Sequence, residues 1–88
     1  MRALRAQIDA IDRSLVGLFA RREAHIARAA EIKRGAGLPA RIPDRVDDVL
    51  AKVRACARSE GVDPDFYEAF WRSLIERAIA YEEGVLGR

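Results

Sequence analysis

The chain is poor in cysteine, histidine and lysine. Among its 88 residues there is one cysteine (Cys56) and one histidine (His25), and only Lys33 and Lys52 among 16 cations are lysines. A lone cysteine excludes an intrachain disulfide and a Cys-rich metal site. Because Cys56 lies in a run of small helical residues, it is expected as a buried, reduced thiol. His25 has no ligand-type partner at metal spacing and is expected to be structural or exposed. Ser14 and Ser73 lack a nearby base, and no glycine-rich phosphate loop occurs. Nucleophilic, metal-dependent and nucleotide chemistry therefore find little support, and no cofactor is expected. Long apolar runs, signal-peptide patterns and lipidation motifs are also lacking, which makes the cytoplasm the expected address. There are no internal repeats, low-complexity segments or period-two strand patterns.

What remains is an ordinary composition for a small helical protein, with 50% hydrophobic and 34% charged residues, expected to form a single domain over 1–88. The formal net charge is +2. Acidic residues are interspersed with the arginines, so no basic face suits nucleic acid, and no segment suits a membrane. The arginine bias has two readings, a GC-rich coding sequence or selection for binding oxyanions.

From Leu4 to Lys33 apolar residues recur at spacings of three and four (Leu4, Ile8, Ile11, Leu15, Leu18, Ile26, Ala29), which predicts one long amphipathic helix with a single buried face. Gly35-Ala36-Gly37 ends it, with Gly35 suited to the cap. Leu38 to Pro43 form a connection stiffened by two prolines. A second helix is predicted from Pro43 or Asp44 to Gly61, with Val46, Val49, Leu50 and Val53 inward. Asp63-Pro64 opens a third, an acidic cap followed by proline at the first helical position. Its inward stripe is Phe66, Phe70, Trp71, Leu74, Ile75, Ala78, Ile79 and Leu86. The expected fold is all-α, three helices in long–short–long order. A first helix this long cannot bury its stripe against two shorter partners, so a two-fold homodimer is expected.

Three ionisable residues interrupt these apolar stripes. Arg22 and Lys33 fall on the face of the first helix, separated by almost a whole number of turns and about 16 Å along the axis. Glu82 falls on the face of the third helix, between Ala78 and Leu86. Buried unpaired charge is costly, so either a cation pairs with Glu82 or an anionic ligand lies between them. Arg45, in the first turn of the second helix, is placed to join them. Arg5 stands about 26 Å from Arg22 and a quarter turn away, too far to serve the same pocket from the same chain. In an antiparallel pair of first helices it comes near the partner's site. Arg28 and Arg41 have no assigned role. A pocket of several cations and one acid without a nucleophile suits positioning and electrostatic stabilisation of an anionic substrate.

The run Leu4-Arg5-Ala6-Gln7-Ile8-Asp9-Ala10-Ile11-Asp12 resembles the "LRxxIDxID" opening of the all-α class of chorismate mutases. Arg21-Arg22, Ile32-Lys33 and Asp44-Arg45 follow in that family's order, and the resemblance covers essentially the whole chain. It implies an intertwined homodimer of three-helix protomers that converts chorismate to prephenate without a cofactor. By position, Arg22 and Arg45 would hold substrate carboxylates, with Arg5 reaching from the second protomer. Lys33 would bond the ether oxygen that gains charge as the C–O bond breaks, and Glu82 falls where many relatives carry a glutamine contacting that oxygen. Two positions depart from the pattern. Val46 replaces a glutamate that would accept from the ring hydroxyl of chorismate, and Ile42 replaces an aspartate. The segment Ile42-Pro43-Asp44-Arg45-Val46 resembles the isochorismate-pyruvate lyase branch, which makes that lyase the alternative activity. A third reading is a dimeric binding module that senses an aromatic precursor or regulates a partner enzyme.

A glutamate can donate to an ether oxygen only when protonated. Activity is therefore expected to rise as pH falls toward the acid range. In pH–rate profiles Glu82→Gln should flatten that rise while keeping activity at neutral pH, and an unchanged profile would remove this role.

Overall fold

A computed structural model describes residues 1–87 and consists of α1 (Arg2–Ala36), α2 (Pro43–Glu60) and α3 (Pro64–Leu86), with no strand among the described residues. The helix boundaries follow local chemistry. Pro43 occupies the first turn of α2, and in α3 the Asp63 carboxylate accepts from the Asp65 backbone N–H at 2.9 Å. Pro64 follows that cap, where a missing N–H costs nothing.

The end of α1 lies later than expected. Gly35 is still helical, and Gly37 is the residue that turns left-handed, at φ 70°. Its N–H and that of Leu38 close back on the carbonyls of Arg34 (3.4 Å) and Lys33 (2.9 Å). These bonds satisfy carbonyls that a stop at Gly35 would leave open, which offsets the roughly 1 kcal/mol cost of glycine inside a helix.

The two shorter helices set the outline. α2 has 18 residues, so it returns only halfway along α1 before the turn at Gly61, where φ is 74°. α3 then retraces the path of the second half of α1. Phe19 meets Phe70 (ring centroids 6.1 Å apart) and Lys33 meets Glu82, so α1 and α3 run in the same direction. α3 packs against both other helices, whereas α1 and α2 do not pack backbone to backbone. The first half of α1 extends alone. The longest dimension is 52 Å, matching the ~52 Å of a 35-residue helix, and the radius of gyration of 15.7 Å exceeds the roughly 12 Å of a compact chain this size.

The core comprises Ala40, Leu50, Ile75 and Ile79, with Val46, Val49, Trp71 and Leu86 packed against it. Ala30 is the wholly buried residue of α1, at 0% exposure. The expected buried face of α1 is therefore only half realised within the chain. Ile26 and Ala29 are half-buried, but Leu4, Ile8, Ile11, Leu15 and Leu18 are exposed, as are Phe66 and Phe70. Cys56, expected to be buried, is exposed, and its neighbour Ala57 is the small residue that α2 turns inward. One step along a helix rotates a side chain by about 100°, enough to move it from core to solvent. No helix among the described residues is long and apolar enough to cross a membrane.

Candidate active site

Where the second half of α1, the 38–42 connection and the start of α2 converge on α3, they line an open-mouthed cavity of ≈ 360 Å³, within the size range of small-molecule sites. Arg22 and Lys33 enter it from α1, Arg45 and Val46 from α2, and Glu82 from α3. Ile42, Val49, Ile75, Ala78 and Ile79 supply its apolar wall. Five of the six residues expected to form the site are thus brought together. The sixth, Arg5, lies in the exposed first turns of α1, away from this cavity.

Lys33 is the most constrained of the group. Its Nζ donates to Glu82 Oε2 at 2.6 Å and to the backbone carbonyl of Ala40 at 2.7 Å. The side chains of Lys33 and Glu82 are only 18% and 7% exposed, so each charge has little water and relies on the other. An ammonium has three N–H donors, and two are committed here. The third is available for a ligand acceptor.

Arg22 forms no ion pair among the described residues and lines the cavity half-buried. Arg45 donates to Asp48 at 2.6 Å, and Lys52 donates to the same oxygen at 3.1 Å. The Lys52 and Arg45 hydrogen bonds hold the Asp48 carboxyl below its ordinary range, so it stays ionised and tethers Arg45 to the surface of α2. The lining therefore carries three cations against one carboxylate, a net positive concavity that attracts anions. Two groups here carried no signal in the sequence. One is the Ala40 carbonyl, since every residue has one. The other is the ring of His25, which bonds the Arg21 carbonyl through Nδ1 at 2.8 Å yet also lines the cavity. Arg28 and Arg41 are engaged elsewhere, with Glu31 and Glu76. No group of three His, Cys, Asp or Glu side chains among the described residues could hold a metal.

A larger hollow, ≈ 590 Å³, lies along the α1–α3 seam between Phe19, Ile26, Phe70, Leu74 and Tyr81. Its charged rim is internally paired, Arg77 with Glu23 at 3.3 Å. Arg22, shared with the smaller cavity, is the one cation of its lining without an ion pair among the described residues, and the rest of its surface is mostly apolar. The smaller cavity has the chemistry.

A small all-α protein with a cationic cavity and a buried lysine–glutamate pair is the class defined so far. Residues 4–83 match the family described as chorismate mutase type II, and the chain belongs to that family. It is 38% identical over 80 residues to the T-protein of Enterobacter agglomerans, an alignment covering 91% of this chain and 21% of that protein. It is 29% identical over 83 residues to the chorismate mutase of Methanocaldococcus jannaschii (94% and 84%) and 31% over 81 residues to the 4-amino-4-deoxychorismate mutase of Streptomyces pristinaespiralis (92% and 63%). The chain spans about a fifth of the length of the T-proteins it matches.

Removing one member of a buried ion pair strands the other charge. Lys33→Met alone is expected to cost roughly 3 kcal/mol of unfolding free energy, and Lys33→Met with Glu82→Leu much less. Urea denaturation of both variants checks this.

Proposed function

We propose that this chain is a chorismate mutase, converting chorismate to prephenate without a cofactor. The observation that carries the proposal is the Lys33 ammonium. It is fixed by Glu82 and the Ala40 carbonyl, with one donor left for the cavity, between Arg22 and Arg45. In the rearrangement a C–O bond breaks while a C–C bond forms within one molecule. No atom leaves and no nucleophile is needed. Two arginines 23 positions apart in the chain can hold two carboxylates and so select a folded substrate conformer, which lowers the entropic part of the barrier. Lys33 meets the ether oxygen as negative charge develops on it, and a preorganised cation is worth most there. Glu82 orients Lys33 through their 2.6 Å ion pair.

The working unit is a homodimer that shares its sites, with dicarboxylate substrate as its small-molecule partner, no nucleic acid or membrane partner, and the cytoplasm as its location. Support comes from the unpartnered first half of α1, where Leu4, Ile8, Ile11, Leu15 and Leu18 form an exposed apolar row. A second copy of α1 laid antiparallel on that row and on the seam hollow covers both. It also carries Arg5 toward the other protomer's cavity.

Val46 and Ile42 place apolar groups where a hydroxyl of the substrate ring would seek an acceptor, which keeps isochorismate as the alternative substrate. Incubation with each compound distinguishes the readings. Prephenate from chorismate supports the mutase, salicylate with pyruvate from isochorismate supports the lyase, and consumption of neither leaves a binding module. Lys33→Ala is expected to lower kcat by about 100-fold, roughly 2.7 kcal/mol, and a loss under about tenfold would refute the placement of Lys33 at the oxygen. Site sharing is tested by mixing Arg5→Ala with Arg22→Ala protein after unfolding. Mixed dimers hold one intact site each, so roughly a quarter of the parent's activity should return. No recovery would place Arg5 outside the site.

A further inference from the structure

The connection between α1 and α2 touches two of the cavity's three cations, Lys33 and Arg45. The Leu38 N–H donates to the Lys33 carbonyl at 2.9 Å, and the Lys33 ammonium donates to the Ala40 carbonyl at 2.7 Å. Lys33 is thereby gripped at both its backbone and its tip. The Ile42 carbonyl accepts from the N–H groups of Arg45 and Val46 at 3.0 and 3.1 Å, which sets the first turn of α2. Since α1 and α2 do not pack backbone to backbone, the spatial relation between Lys33 and Arg45 passes through this segment and through α3.

Arg41, next to Ala40, reaches outward. Its Nη1 and Nη2 donate to Glu76 Oε1 and Oε2 at 2.8 and 2.7 Å, a two-point fork between residues 35 positions apart. Both side chains are about half exposed, so the pair adds little to global stability. Its geometry is the notable feature, because a bidentate guanidinium–carboxylate contact fixes orientation as well as distance. The Glu76 bond holds the Arg41 guanidinium above its usual range, and the Arg41 bond holds the Glu76 carboxyl below the usual carboxylate range. Both partners therefore stay charged at neutral pH. The contacts close a circuit from Glu76 through Arg41, Ala40 and Lys33 to Glu82, which returns to α3 less than two turns from its start.

We infer that Arg41 and Glu76 are a positioning pair, a latch that holds the connection against α3 and so aims the Lys33 ammonium at the reacting oxygen. This rests on the chorismate mutase reading of the cavity. Neither residue touches substrate; each acts through the Ala40 carbonyl. The latch governs a group that matters most in the transition state, so its loss should appear in kcat and leave substrate binding nearly unchanged.

The test is a double-mutant cycle on chorismate turnover, with hydrogen exchange of residues 37–46 measured on the same proteins. Arg41→Gln and Glu76→Gln should each lower kcat roughly three- to tenfold with KM changed less than about twofold. The double variant should be no worse than either single one, because one contact is being removed. Arg41→Lys should fall between, since an ammonium cannot fork. Exchange over 37–46 should quicken in each Gln variant. The latch is overturned if both kcat values stay within about twofold of the parent, if the losses add in the double variant, or if kcat falls while exchange is unchanged. A parent protein that consumes neither chorismate nor isochorismate defeats the reading of the cavity instead, and exchange alone then judges the latch.

Discussion

The contact between Lys33 and Glu82 is the constraint on which the rest of this structure depends. Two opposite charges have been withdrawn from water, and neither is tolerable there alone. To meet at 2.6 Å they require α1 and α3 to run side by side in one register and the connection to fold across the lysine. The core of Ala40, Leu50, Ile75 and Ile79 lies against the same junction. Packing energy and site geometry are thus obtained from a single convergence of chain segments. The ion pair is costly as a stabilising device. Its return is a cation with fixed direction and one donor uncommitted.

Much of the architecture was legible because its punctuation is local. Proline at the start of α2, the Asp63-Pro64 pair before α3 and glycine after α1 and α2 act through the backbone of their own residues, so their effects do not depend on the fold. The anomaly of Arg22, Lys33 and Glu82 on apolar stripes was legible for a similar reason, since helical phase alone places them. The Ala40 carbonyl was not legible, because a backbone acceptor has no identity in a sequence. Nor was the outward turn of Cys56: in the small-residue run Ala55-Cys56-Ala57, hydropathy does not say which of two neighbours faces the core. The shift of the α1 cap from Gly35 to Gly37 has the same origin, two glycines competing for a role that only carbonyl satisfaction decides.

The long stripe of α1 divides into two parts with different surroundings. Its second half meets α3 and carries the cations into the cavity. Its first half is exposed throughout. That division follows from the length of α2, which brings the chain back only halfway. One helix is thereby both an internal element of the packed chain and a long exposed apolar rod.

Because Arg22 and Lys33 belong to one uninterrupted helix, their relative direction is a matter of rotational phase. Each residue advances a helix by about 100°, so the eleven steps between them close to within about 20° of whole turns. Substitutions at the outward positions between them leave that phase untouched. Inserting or deleting one residue there would swing Lys33 about 100° away from Glu82 and the cavity, whatever residue was chosen. The interval is therefore tolerant of changes in letter and intolerant of changes in count, a constraint set by geometry rather than by chemistry.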